Sequence, residues 1–181
     1  TTFNENTIKV QHHSKISRQK ITIESDWSSA SYFYSIVALS TIGTKISLKS
    51  FYNDSLQGDS ILAEIYRQFG VETIYDDKAI TLIKADSKLF PINLDLINAP
   101  DIAQTIAISC FGLGIACTLS GLHTLKIKET DRLVALKTEI EKLGGQVQIS
   151  EHSLHLSSSK SIKKNININE NASYISRSRS W

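Results

Sequence analysis

Gly70 and Gly144 stand 74 residues apart, and the sequence on either side of them follows the same order of patterns. Before Gly70, Leu62, Ile65 and Phe69 recur at helical spacing; before Gly144, Leu133, Leu136, Ile140 and Leu143 do the same. Glycine accepts the left-handed conformation that closes a helix, so each helix is expected to stop there. Two short alternating runs follow each glycine: Val71 to Tyr75 with Ala79 to Leu82, then Gln146 to Ser150 with Ser153 to Leu156. Alternation at period two predicts a hairpin in both places, the first around Asp76-Asp77-Lys78. Ile80-Thr81-Leu82 matches Leu154-His155-Leu156 at the same offset. Two copies of a βαβαββ unit, at about 26–82 and 95–156, are the simplest account, since such units bury their apolar faces against each other. The expected fold class is α/β, with helices packed against mixed sheets.

The first half of each unit is less regular. Ser28 or Ser29 is placed to cap a helix bearing Tyr32, Phe33, Ile36, Val37 and Leu39, with Gly43 after its end and a strand from Thr44 to Leu48. Asp59 is placed to cap the helix that ends at Gly70. In the second unit Leu94-Asp95-Leu96 reads as a short strand, and Asp101 as a helix cap with Gln104 completing a capping-box pattern. A strand is expected from Ile115 to Leu119. Ahead of the units, residues 1–25 carry two alternating runs, Thr7 to Val10 and Lys20 to Glu24, that read as strands. Adjacent His12 and His13 have no accompanying set of ligands at metal spacing and read as an exposed pair. Behind the units, residues 157–181 are polar and nearly low-complexity. They read as a loose tail with one strand candidate at Ile166 to Ile168.

Several function classes are excluded by composition. Hydrophobic residues make up 41% and charged residues 21%, the balance of a globular protein rather than a disordered one. The net charge is only +2, and all of the positive excess lies in the polar tail, so the body is not a basic surface for nucleic acid. The N-terminus shows no basic segment followed by an apolar stretch. The longest apolar run, Thr105 to Leu119, is broken by Ser109, Gly112 and Gly114 and is too short to span a bilayer. No membrane role is expected. Cys110 and Cys117, if they shared one helix, would sit about 10 Å apart, beyond disulfide reach, and free buried thiols suit a reducing cytosol.

Chemistry is concentrated at Lys126-Ile127-Lys128-Glu129-Thr130-Asp131-Arg132, where five charged residues crowd the start of an amphipathic helix. Free backbone N–H groups at a helix start favour anions, and Lys128 and Arg132 add full positive charges. Arginine can hold a carboxylate or phosphate through two parallel hydrogen bonds, while lysine acts as a point charge. Asp131 reads only as a first-turn carboxylate.

Four motifs occur in one order: Asp26-Trp27-Ser28-Ser29-Ala30-Ser31-Tyr32-Phe33, Ser55-Leu56-Gln57-Gly58-Asp59, Pro100-Asp101-Ile102-Ala103-Gln104-Thr105, and Lys128-Glu129-Thr130-Asp131-Arg132. Together they resemble the 5-enolpyruvylshikimate-3-phosphate synthase family, from roughly Val10 to Leu156. The resemblance implies an enolpyruvyl transferase fold and transfer of the enolpyruvyl group of phosphoenolpyruvate to the 5-hydroxyl of shikimate 3-phosphate. That reaction lies in aromatic amino-acid (chorismate) biosynthesis in the cytoplasm. It further implies Asp101 and Glu129 as acid–base carboxylates, and Asp101, Lys128 and Arg132 as substrate contacts. No metal or organic cofactor is required. Thr124 stands where the family often has asparagine. The family also has an N-terminal domain, a third repeat unit and an Asp-His-Arg segment that this sequence lacks, so a piece of a larger enzyme, inactive alone and monomeric at full length, is expected. Two other readings stay open: the related transferase acting on UDP-N-acetylglucosamine, and a non-catalytic anion-binding scaffold.

Overall fold

The computed structural model describes residues 2–12, 15, 17–128 and 130–166. Glu129, His13 and the tail from 167 onward, with most of the strand candidate at Ile166 to Ile168, lie outside the described residues.

A small hairpin comes first. Strands β1 (Thr2–Asn4) and β2 (Thr7–Lys9) pair antiparallel. The expected second strand at Lys20 to Glu24 is not formed, and Ile21 and Ile23 are exposed. His12 is exposed.

Helix α1 (Trp27–Ala38) follows, then strand β3 (Lys45–Lys49), a 3₁₀ turn Gly58–Ile61, helix α2 (Leu62–Arg67), and strands β4 (Val71–Asp76) and β5 (Ala79–Lys84). The second half runs β6 (Ile92–Asp95), a 3₁₀ turn Pro100–Ile102, α3 (Ala103–Leu113) and β7 (Cys117–Ser120). A 3₁₀ turn His123–Lys126, α4 (Arg132–Lys142), β8 (Val147–Ile149) and β9 (Leu154–Leu156) complete it.

The strand order β3-β5-β4 in the first sheet repeats as β7-β9-β8 in the second, where β6 adds a parallel strand beside β7. The counterpart of β6 in the first half is reduced to one backbone hydrogen bond. Ser25 N donates to Ser50 O at 2.7 Å, as Leu96 N donates to Ser120 O at 2.9 Å.

One apolar core runs through both halves, with α1 packed on α3 at its centre. The face that α1 buries is not the one its hydrophobicity suggests. Trp27, Ala30, Ser31, Tyr34, Ser35, Val37 and Ala38 are buried, while Tyr32, Phe33, Ile36 and Leu39 are 64%, 41%, 54% and 46% exposed. This helix is apolar nearly all round, so hydrophobicity alone does not select a face. Small residues do. A Cβ on Gly112 of α3 would lie 2.6 Å from a Leu39 methyl, and Ser35 and Ser109 meet through their hydroxyls at 2.8 Å. Tyr66 of α2, fully buried, joins the same cluster through Ser109 at 2.9 Å and so ties the two halves by a satisfied polar contact.

The two cysteines do not share a helix. Gly114, at φ +74°, ends α3 in the left-handed conformation and the chain folds back. Cys110 and Cys117 end up thiol to thiol in the core, both free, and that contact together with burial pushes the Cys110 thiol far up. Past Leu156 the chain still follows the body: Ser157 N donates to Gln146 O and Lys163 N to Leu143 O. No helix among the described residues is long and apolar enough to cross a membrane.

Candidate functional site

At the start of α1 a carboxylate takes the place of the expected serine cap. Asp26 caps α1, accepting from Ser28 N at 3.0 Å and Ser29 N at 3.2 Å. Asp131 caps α4 in the same way, accepting from Leu133 N and Val134 N at 3.1 Å. Neither Asp59 nor Asp101 caps a helix. Each sits inside a 3₁₀ turn ahead of one, with no side-chain cap bond, and both carboxylates are turned elsewhere.

Asp101 turns toward the approach to α4. Its Oδ1 lies 3.2 Å from both Lys128 Nζ and Arg132 Nη1. Arg132 is the most enclosed of the three, with its side chain 19% exposed against 33% for Lys128 and 39% for Asp101. Partly exposed pairs of this kind contribute only about 0.2–1 kcal/mol, so their consequence is geometric. One acidic oxygen gathers two cations from a different strand-to-helix connection.

Asp59 turns toward α1, where Ser28 Oγ donates to its carboxylate. Burial pushes the Asp59 carboxyl above its ordinary range. The neighbouring carboxylates of Asp101 and Asp26 add to that, against the Ser28 hydrogen bond and the charge of Lys128. The turn carrying Asp59 lies hard against the one carrying Asp101. A Cβ on Gly58 would sit 2.3 Å from the Asn98 carbonyl oxygen, so only glycine permits that approach.

Behind this junction stands Glu24. Its carboxylate accepts from Trp27 Nε1 at 2.9 Å, Ser55 Oγ at 2.9 Å, Gln57 Nε2 at 3.1 Å and Tyr52 N at 3.3 Å. Burial pushes its carboxyl upward, but the four donors outweigh that and leave it below the ordinary glutamate value. Gln57 completes the link by accepting from Trp27 N through Oε1 and donating to Ser25 O.

The four sequence motifs therefore meet at one place. A cavity of about 270 Å³ opens there, lined by Asp26, Ser28, Ser29, Asp101, Gln104 and Arg132, with Tyr32 at its side. Tyr32 and Gln104 are shared with an apolar groove that continues along Ile36 and Ile108. Asp101, Lys128 and Arg132 are thus brought together; Glu129, one residue from Lys128, is outside the described residues. Thr124 lies close by in sequence, with a buried hydroxyl that has no hydrogen-bond partner among the described residues.

Sequence reasoning assigned Asp59 and Asp26 no part in the site, and it placed Glu24 in a strand. Asp59 and Asp26 are within reach of motif reasoning, because they belong to the motifs Gln57-Gly58-Asp59 and Asp26-Trp27-Ser28-Ser29. Nothing in the sequence around Glu24 marks it.

Over residues 1–173 the sequence matches the family profile described as EPSP synthase (3-phosphoshikimate 1-carboxyvinyltransferase). The 3-phosphoshikimate 1-carboxyvinyltransferase of Bacteroides fragilis (strain YCH46) is 46% identical over 123 residues, 68% of this chain and 30% of the relative. That of Histophilus somni (strain 2336) is 35% identical over 136 residues, 75% of this chain and 30% of the relative. Among solved structures, EPSP synthase from Acinetobacter baumannii aligns with a TM-score of 0.62 at 21% identity, a likeness of fold covering 81% of this chain and 35% of that one. The chain spans 30% of the length of both curated relatives.

Proposed function

Because the chain belongs to the EPSP synthase family, we propose that it forms one wall of an active site for enolpyruvyl transfer from phosphoenolpyruvate to the 5-hydroxyl of shikimate 3-phosphate. The single observation that carries this reading is the Asp101 carboxylate held between Lys128 and Arg132 at the cavity wall.

The reaction makes definite demands. The 5-hydroxyl of shikimate 3-phosphate loses its proton as its oxygen bonds to the central carbon of phosphoenolpyruvate, and the vinyl methylene gains a proton to become methyl. A proton then leaves that methyl as the carbon–oxygen bond to phosphate breaks, which restores the double bond. Acid–base groups are needed on both sides of the reacting carbon. In this reading Asp101 faces the hydroxyl and Glu129 the methylene, Lys128 contacts substrate and intermediate, and Arg132 clamps phosphoenolpyruvate. The placement of Asp101 supports the first role, because two cations fix its carboxylate beside the cavity. Both cations are already engaged by Asp101, so an incoming anion adds to an existing cluster. No metal takes part in this scheme, and the location proposed with it is cytoplasmic.

The test uses the sequence within a synthase of full family length. Asp101→Asn and Glu129→Gln should each lower kcat by about 10²–10⁴-fold, the usual range for acid–base groups, with smaller changes in KM. Arg132→Ala should raise the KM for phosphoenolpyruvate as well as lowering the rate. Full kcat in either carboxylate variant overturns that residue's role.

A further inference from the structure

Two histidines that the proposed function does not use meet outside the residues that line the cavity. His123 opens the 3₁₀ turn that leads to Lys128, and His152 sits in the turn between β8 and β9. Their ring centroids are 6.3 Å apart, with the rings set edge to face at 73°. Both residues are exposed. The Glu151 carboxylate lies 3.9 Å from His152 Nε2 and adds negative charge beside the pair.

The backbone beneath the two rings is fixed. Leu122 N donates to His152 O at 3.0 Å, so the residue before one histidine is bonded to the other. Leu122 and Leu154 are fully buried and anchor the two loops in the core. The hairpin turn is closed on itself: Ser150 N donates to Ser153 O at 2.9 Å, and His152 N donates to Ser150 Oγ at 3.2 Å. On the other loop Gly121, at φ +76°, passes so close to the end of β6 that a Cβ would lie 2.4 Å from Ile97 N. Two imidazoles from distant parts of the sequence are thus presented side by side on a firm base.

We propose that His123 and His152 form a surface site for a divalent first-row transition ion of the zinc, nickel and copper class, the ions that imidazole ligands suit. Zinc–nitrogen bonds of about 2.0–2.1 Å place the centroids of two tetrahedrally disposed imidazoles about 5 Å apart, so the pair has to close by only about 1 Å. At 68% exposed, the His152 side chain has the freedom to close that gap. No group of three or more ligating side chains forms among the described residues, so water fills the remaining positions on the ion. Other donors of the same class are engaged or closed off: His155 Nδ1 is 2.9 Å from Thr118 Oγ1, and Cys110 and Cys117 are buried. An ion held here cross-links the turn leading to Lys128 with the β8–β9 hairpin.

The experiment is an NMR titration of the 181-residue chain with zinc chloride at neutral pH, read at the imidazole ring signals. His12 and His13 are replaced by asparagine throughout, so that this adjacent pair cannot chelate on its own. That parent is compared with His123→Asn, His152→Asn and the double variant. Zinc should shift the rings of His123 and His152 together, saturating at one equivalent, and leave the ring of His155 unmoved. Two linked ligands gain about 10²-fold or more over one, so each single replacement should weaken binding by about that factor, and the double variant should lose little more. Magnesium, which takes oxygen ligands, should shift neither ring. The variants should keep the thermal midpoint of the metal-free parent, since both histidines are exposed. Zinc shifts that fail to saturate, that centre on other residues, or that persist at full affinity in either single variant overturn the site and leave the two histidines as a surface ring contact.

Discussion

Glu24 holds together three segments that the sequence keeps apart: the approach to α1, the indole of Trp27 and the loop from Tyr52 to Gln57. Four donors on one carboxylate favour its charged form, and its carboxyl sits below the ordinary 4.5 despite partial burial. The sign follows from linkage. A depressed value contributes stability above the unfolded value, and that contribution is lost as pH falls through the folded one. Glu24→Gln should lower the stability of the chain at pH 7 by about 1.5–3 kcal/mol, the range for hydrogen bonds to a charged group. The gap between variant and wild type should close as the pH is brought below the carboxylate range. Urea unfolding followed by circular dichroism at several pH values reads both effects; a gap that persists unchanged in acid would show that charge is not what Glu24 contributes. The residue was not legible in the sequence because Lys20 to Glu24 alternates as a strand would, and alternation is blind to partners 28 to 33 residues away. Asp101, by contrast, was legible from its motif, although its carboxylate serves two cations and not the helix cap that spacing suggested.

At the scale of elements, α1 and α4 each begin at an aspartate cap beside the cavity. Asp131 illustrates how capping and contact with Asp101 fall to different residues. It bonds Leu133 N and Val134 N, while Lys128 and Arg132 on either side of it reach Asp101. Asp131→Ala should therefore cost about 1 kcal/mol through the lost cap, and Asp131→Asn much less, because asparagine caps as well as aspartate. In the full-length synthase Asp131→Asn should keep its rate. A rate loss as large as that of Glu129→Gln would move Asp131 from the helix cap into the chemistry. The turn bearing Gly58 obeys a different constraint. Gly58→Ala would drive a Cβ into the Asn98 carbonyl and part the two turns, costing about 1–3 kcal/mol as overpacking does. Helix and strand positions were largely readable from periodicity. The capping residues and the inward face of α1 were not, because both depend on which helix lies opposite: α3 accepts the small side of α1, with Leu39 seated over Gly112, and Tyr32, Phe33 and Ile36 are left outward.

For the whole molecule, the repeat seen at Gly70 and Gly144 corresponds to one strand order used twice, β3-β5-β4 and β7-β9-β8, and the cavity lies where the halves meet. Each half supplies what the other cannot. The first contributes Ser28, Ser29 and the carboxylate behind them; the second contributes Asp101, Lys128 and Arg132. In the proposed reading these residues form one wall of the cleft, and both cations meet the Asp101 carboxylate. The proposed reaction requires two anionic substrates to be held together, with the hydroxyl oxygen aligned on one carbon and water kept out. Positioning of that kind accounts for about 7–11 kcal/mol of a barrier, and a one-sided surface supplies little of it. The chain, at 30% of the length of its curated relatives, should therefore bind shikimate 3-phosphate weakly and release no phosphate from phosphoenolpyruvate in its presence. A phosphate-release assay on the purified chain, run beside a full-length synthase, measures this directly. Turnover approaching that of the full-length enzyme would mean that the wall formed by Asp101, Lys128 and Arg132 is sufficient for catalysis, and the division of labour between the two sides of the cleft would have to be redrawn.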